Sequence, residues 1–542
     1  MAIGACSDSE EDAAPTSGAP GGGLQPAERP TIRLTNGGAG DVGLPNPLAY
    51  QSGPGYELVT YVYDSLLIGG FQSGIVPWLI TRLDTSPDGR VYTMELRENI
   101  RWHDGRPLTP DDVVFSFEYF AAKRPMLPPN LLGRPERVGS VRATGARNVE
   151  IRMEQPSVPF ATSTLTLFPI VPRHIWSGVD DPTAVQDQQR LIGSGPFRLA
   201  SYVRGEGAYA FDAVDSFFLG RPFVKRVELR QVGDELAALR AGEIDVASPG
   251  APAGARPEVL APFRSDPAFG VLETPPGAFL NGLYWNLTRG GALADVRFRQ
   301  ACARAIDRNQ LVQRVLGGNG FVGNPGYLPP GHPFRVDVEQ YPFDPPAANR
   351  LLDDAGYRMG AGGVRQGPDG PLRFRLLTVA PPLAEVVSGM LRAVGVEAVV
   401  EPAPEFQQFA MLMSRGNFEM AMLFHGGTAG DPDFMRGVFS SRVPPDQKAF
   451  FAARGYANPE LDELLERQRT TFDEAERKRI VAQAQQIVAR DLPLLHLFYP
   501  SVYTIFRKAT FDQWPSGPNE PPDKQVLVTG HKGKELTIRP AR

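Results

Sequence analysis

Val91-Tyr92-Thr93-Met94-Glu95-Leu96, followed by Arg101-Trp102-His103-Asp104-Gly105-Arg106-Pro107-Leu108 and then Thr109-Pro110-Asp111-Asp112-Val113, decides how this chain folds. The first six residues alternate as a strand alternates, one side chain to each face. Asp104-Gly105 supplies a tight turn. Thr109 is placed as an N-cap with Pro110 at the first helical position and Asp112 at the third, which predicts a helix from Asp111 to Phe120. A strand delivered through a turn into a capped helix is the unit of an α/β protein.

The same alternation continues outward. Thr31-Ile32-Arg33-Leu34-Thr35 predicts a first strand, and Glu57 to Leu67 a helix. Asp295 caps a helix from Val296 to about Leu316. Asp344 caps Pro345 to Ala355, stopped by Gly356. Leu383 to Val394 ends at Gly395 and leads into the strand-like Val396–Val400. Asn458 caps Pro459 to Gln468, and Asp473 with Glu476 opens a helix that reaches Arg490. Leu492 to Phe506 reads as extended.

The chain has 542 residues, a prior of three to four domains. It is 42% hydrophobic and 22% charged, the composition of a globular protein. Its 57 Gly and 53 Pro follow no G-X-Y period, which excludes collagen. The net charge of −5 carries no basic footprint for nucleic acid. No run of 18 apolar residues is present to span a membrane. Gly38-Ala39-Gly40-Asp41-Val42-Gly43 has the form G-x-G-x-x-G, but Leu44-Pro45-Asn46-Pro47 forbids the helix that would hold a pyrophosphate. The six histidines, at 103, 174, 332, 425, 496 and 531, show no metal-ligand spacing, and no cofactor is expected.

The two cysteines differ in context. Ile3-Gly4-Ala5-Cys6 resembles a bacterial lipobox, whose Cys is lipidated; only Met1 and Ala2 precede it here. Residues 7–28 hold five acidic residues and no Lys or Arg among Ala, Gly, Pro and Ser, a composition that does not bury apolar surface. Residues 1–30 are therefore expected to tether a lipid-anchored body. Cys302 recurs at helical spacing with Phe298, Ala305, Val312 and Leu316 and is expected to face a core.

The order of segments resembles the family 5 extracellular solute-binding proteins, the oligopeptide, dipeptide and nickel-type receptors of bacterial ABC importers. The matching pieces are Gly43-Leu44-Pro45-Asn46-Pro47, Tyr61 to Leu67, Ser86 to Val113, Gly193-Ser194-Gly195-Pro196-Phe197, Gly242-Glu243-Ile244-Asp245, Arg297 to Arg308, Tyr341 to Tyr357 and Asn458 to Pro493. The resemblance implies an α/β, two-lobed, periplasmic-binding-protein-like fold with an extra subdomain in lobe I and a hinge of two crossovers. Lobe I would hold 31–275, with 61–190 as the subdomain. Lobe II would hold 276–495, and 496–542 would return to lobe I and form the C-terminal tail, with Val526–Thr529 as an edge strand. The crossovers are placed near Leu272–Leu280 and Pro493–Phe498. The Trp102-His103-Asp104-Gly105 turn would be structural. The implied protein is a non-catalytic, monomeric receptor outside the cytoplasm, delivering its solute to the transmembrane permease of an ABC importer.

In peptide-binding relatives a lobe II segment G-W-x-x-D-x-x-D-P lines the cleft, and its first Asp pairs with the peptide ammonium. The corresponding residues here are Phe424-His425-Gly426-Gly427-Thr428-Ala429-Gly430-Asp431-Pro432. His425 stands for the Trp and Thr428 for the first Asp, so the neutralising carboxylate is missing; a hydroxyl hydrogen-bonds a cation but does not neutralise it. The candidate ligand contacts are Asn36, Tyr284, Trp285, Asn286, Tyr327, Phe424, His425, Gly426, Gly427, Thr428 and Asp431. Peptides, modified peptides, oligosaccharides and metal chelates all remain open as solutes, and a receptor-like lipoprotein serving signalling instead of import remains open as the role.

Overall fold

The computed structural model describes residues 31–513 except 36–39, 51–52, 71–73, 129–130, 132, 221, 223, 251–252, 275–278, 427–429 and 446–447, together with 539–540. The proposed tether, Cys6, Asn36, Gly427, Thr428 and the strand expected at Val526–Thr529 lie outside the described residues. Among the described residues no helix is long and apolar enough to cross a membrane.

Lobe I begins with a four-stranded sheet in the order Thr31–Leu34, Arg226–Leu229, Ala208–Ala213 and Phe197–Val203. The first pair is parallel and the rest antiparallel. Arg33 clamps this sheet to the Gly242-Glu243-Ile244-Asp245 turn. Its Nη2 donates to Asp245 Oδ1 at 2.9 Å and its Nη1 to Gly242 O at 2.5 Å. A second, antiparallel sheet orders Val246–Ala247, Val502–Arg507 and Phe269–Thr274, so its middle strand comes from the far end of the chain.

The segment 61–190 contains a separate antiparallel sheet, Ile80–Thr85, Val91–Leu96, Asn148–Met153 and Val138–Ala143. The helix Pro110–Lys123 packs on it, opened by a reciprocal capping box between Thr109 and Asp112. The expected helix Glu57–Leu67 is shorter and earlier, Pro54–Val62. The chain leaves helical geometry at Tyr63 because its neighbours are claimed elsewhere. Gly195 N donates to Val62 O at 2.9 Å, and Asp64 accepts from Trp78 Nε1 at 2.8 Å and Ser194 Oγ at 2.5 Å. Gly193 sits so close to this exit that a Cβ would lie 1.8 Å from Val62 O. His103 locks the same corner, its Nε2 donating to Gly195 O at 3.0 Å.

Lobe II is built on a six-stranded mixed sheet ordered Gly320–Val322, Leu494–Pro500, Phe279–Trp285, Met420–Gly426, Arg373–Thr378 and Glu397–Pro402. Helices cover both faces. The helix expected from Val296 to Leu316 is two, Val296–Ala305 and Arg308–Leu316. Ile306 is extended and Asp307 caps the second helix, accepting from Gln310 N at 2.8 Å. Cys302 is fully buried in the first, and burial pushes its thiol up.

The chain passes between lobes twice. The first passage lies between Thr274 and Phe279. The second lies at Ser501, between the lobe II strand Leu494–Pro500 and the lobe I strand Val502–Arg507. It falls beyond the expected Pro493–Phe498, because Leu494–Pro500 pairs along its length with Phe279–Trp285 and Gly320–Val322. The sheet that carries lobe II thus includes residues up to Pro500. Each lobe keeps its own apolar cores. The largest lobe I core draws on Ile32, Trp78, Phe160 and Phe211; the two lobe II cores are centred on Phe298, Val387 and Leu495, and on Tyr327, Phe409 and Val488.

Candidate functional site

The strand Met420–Gly426 carries the candidate loop to the junction of the lobes. Its last residue, Gly426, is in register with Phe279, the first lobe II residue after the first passage. The chain returns to described residues at Gly430, which His332 holds by donating from Nε2 to its carbonyl at 2.9 Å. His332 is fixed in turn by Phe334 N, which donates to its Nδ1 at 3.1 Å. Both described ends of this segment, Gly426 and Gly430, are thus held by lobe II residues.

The carboxylate of Asp431, one of the candidate contacts, is engaged by partners within the protein. Arg477 Nη1 donates to Oδ2 at 3.0 Å, and Arg477 Nη2 pairs with Oδ1. Thr162 Oγ1, from the subdomain of lobe I, donates to Oδ2 at 3.0 Å. Both Arg477 and Asp431 side chains are almost wholly buried, with relative exposures of 4% and 1%. A buried cation and a buried anion each need the other, since either alone would strand a charge.

Next to this loop lies an aromatic wall. His425 stacks on Phe451 with ring centres 3.8 Å apart and planes 11° apart. Tyr327, Tyr284 and Phe434 surround it at 6.3–6.4 Å, and Tyr327 packs on His496 at 4.8 Å. Tyr327 adopts a positive φ of 84°, a strained conformation for a bulky residue that its packing maintains. Burial pushes His425 down to about 4, so it is a neutral ring. Burial likewise lowers His496. His425 Nδ1 lies 2.9 Å from Gly426 O and His496 Nδ1 lies 3.1 Å from Asn324 O. Donation to these carbonyls leaves each Nε2 as the acceptor.

Trp285 and Asn286 sit inside lobe II, away from the junction. Trp285 pairs with Met420 at the far end of the strand from Phe279 and is 1% exposed within a lobe II core. At about 3.3 Å per residue that is roughly 20 Å along the strand from the junction. Asn286 is an interior cap. Its Nδ2 donates to Gly416 O at 3.1 Å and Phe418 O at 2.9 Å, and its Oδ1 accepts from Thr288 Oγ1 at 2.6 Å. Tyr284 and Tyr327 are fully buried in the second lobe II core. Phe424 and Gly426 are half-buried. Asn36, Gly427 and Thr428 lie outside the described residues.

Three residues that shape the site were missed from sequence: His332, Thr162 and Arg477. Arg477 begins Arg477-Lys478-Arg479, which reads as a solvated charge run. Its signal was its phase, since it shares the helical face of Ile480, Val481, Ala484 and Val488, all buried. Among the described residues no group of three or more His, Cys, Asp or Glu side chains is placed to hold a metal ion.

The profile of the bacterial extracellular solute-binding proteins, family 5 (middle region), matches residues 74–445. The chain belongs to this family. Family 5 members are solute receptors and not enzymes, and this protein is one. It is 28% identical over 494 residues to protein XP55 of Streptomyces lividans, covering 88% of this chain and 84% of that protein. It is 25% identical over 502 residues to the dipeptide-binding protein of Escherichia coli K12, covering 85% of this chain and 88% of that one. Its fold superposes on the oligopeptide-binding protein AppA of Bacillus subtilis, in complex with a nonapeptide, with a TM-score of 0.78. That match covers 95% of this chain and all of AppA at 21% identity.

Proposed function

We propose that this family 5 receptor encloses a peptide between its lobes and passes it to the transmembrane subunits of an ABC importer, as a monomer held at the membrane by lipid on Cys6. Peptide binding by the E. coli and B. subtilis relatives supports the solute class. The observation that carries the mode of binding is the ion pair of Asp431 with Arg477. With Asp431 neutralised internally and Thr428 in place of the preceding acid, the segment 424–431 offers no free carboxylate for a peptide ammonium. The peptide is then held mainly through its backbone, because burying an unpaired ammonium would be costly.

Isothermal calorimetry with peptide pools, each tested with free and with acetylated N-termini, checks this. Acetylation is expected to change affinity by less than about tenfold, a difference of ~1.4 kcal/mol. A loss of a hundredfold or more would show an ammonium clamp elsewhere in the cleft. Binding of a saccharide or metal chelate with no binding of any peptide would overturn the solute class. Lipid on Cys6 is checked by mass spectrometry of the protein extracted from its native membrane.

A further inference from the structure

We propose that Glu136, Arg137 and Thr162 of the lobe I subdomain form a polar latch on lobe II that favours closure of the two lobes before solute arrives and is tied to the ion pair of Asp431 with Arg477.

The contacts are specific. Glu136 Oε2 accepts from Arg436 Nη2 at 2.9 Å and from Arg469 Nη2 at 3.2 Å. Arg137 Nη2 donates to Glu466 Oε2 at 2.7 Å. Val158 N donates to Arg469 O at 2.7 Å, and Thr162 Oγ1 donates to Asp431 Oδ2 at 3.0 Å. On the lobe II side Asp433 completes the set, with its Oδ1 3.2 Å from Arg469 Nε and 3.7 Å from Arg436 Nε. Asp433 N also donates to Asp431 Oδ1 at 2.9 Å, which joins the latch to the anchor of the candidate loop. One further contact is apolar, the Phe472 ring lying where a Cβ on Gly89 would meet it at 2.1 Å.

Three features make this a latch and not a fixed interface. First, the apolar cores of the lobes do not merge here, so closure rests on polar contacts that water can replace. Second, each side is electrically balanced alone. Glu136 and Arg137 carry one charge of each sign on one side, and Asp433 and Glu466 match Arg436 and Arg469 in number on the other, so opening separates no net charge. Third, the closed arrangement is favourable for Glu136 itself. Burial opposes its charged form, yet Arg436 and Arg469 outweigh that and hold its carboxyl below the usual range. A hinged receptor that closes on part of its own surface has a populated closed state before solute arrives, and the solute then shifts an existing equilibrium.

The test needs no solute, so it stands apart from the identity of the peptide. Small-angle scattering of the full chain without solute, with melting temperature measured in parallel, compares wild type with Glu136→Gln and, independently, Arg137→Gln. Wild type is expected to scatter as the closed form. Each variant is expected to lose closed population about tenfold and show a larger radius of gyration, with each melting temperature staying within a few degrees of wild type. Solute-free wild type that is already open, variant profiles that superimpose on wild type, or a fall in melting temperature without a change in radius would each overturn the latch.

Discussion

At the residue scale the decisive contacts are buried charges and rings whose partners are distant in sequence. Arg477 is the clearest case, since its guanidinium has no solvent to fall back on. Arg477→Met is expected to lower unfolding stability by about 3 kcal/mol, because it leaves Asp431 buried and unpaired. Arg477→Met combined with Asp431→Asn should recover much of that loss, and chemical denaturation of the three variants measures both. Two enclosed histidines, His103 half-buried and His425 buried, add a pH dependence. Burial pushes His103 down to about 4, partly offset by its bond to Gly195 O. Its neutral form is the native one, so this contribution is complete above an unfolded-state value of 6.5. It is lost as pH falls from 6.5 toward 4, on the order of 3 kcal/mol for one such ring. His425, also pushed to about 4, acts in the same window. Denaturant midpoints at pH 7.5 and 4.5 should show the fall, and His103→Gln should flatten it.

At the element scale, local sequence wrote most of the structure, and its failures have a common cause. The strand Val91–Leu96 and the cap at Thr109 were readable because alternation and capping are local signals. Asp112 does more than cap. It accepts from Thr109 N at 2.9 Å and, through its other oxygen, from Arg173 N at 3.0 Å, tying the helix to a segment sixty residues on. Asp112→Ala is expected to cost about 2 kcal/mol, more than a cap alone, and Asp112→Asn distinctly less, as read by thermal unfolding. The early end of Pro54–Val62 could not be read, because Gly193 and Gly195 impose it from another part of the chain. Gly193→Ala should be among the most damaging single changes, above about 4 kcal/mol, since the new Cβ meets backbone that cannot move aside. The break at Ile306 was in plain view as Asp307, a second N-cap inside an otherwise continuous apolar period. For the candidate site the sequence offered a segment but not its partners: His425 was singled out by its place in a motif, whereas the distance of Trp285 and Asn286 from the junction follows from strand position, which is invisible locally.

At the scale of the whole molecule, separate cores joined by two passages imply partly independent stability. Scanning calorimetry is expected to show a calorimetric enthalpy exceeding the van't Hoff enthalpy, and a bound solute should bring the two closer by coupling the lobes. The second passage at Ser501 has a further consequence, for biogenesis. The middle strand of one lobe I sheet, Val502–Arg507, pairs on one side with Val246–Ala247 and on the other with Phe269–Thr274, both made more than 220 residues earlier. A ribosome delivering this chain from its N-terminus releases every strand of lobe II before that one. Lobe II can thus mature while lobe I waits with a gap between two strands, exposing unpaired edges of the kind that aggregate or recruit chaperones. A nascent chain arrested before residue 502 would be half a receptor with an open seam, and the last strand to arrive is the one that closes it.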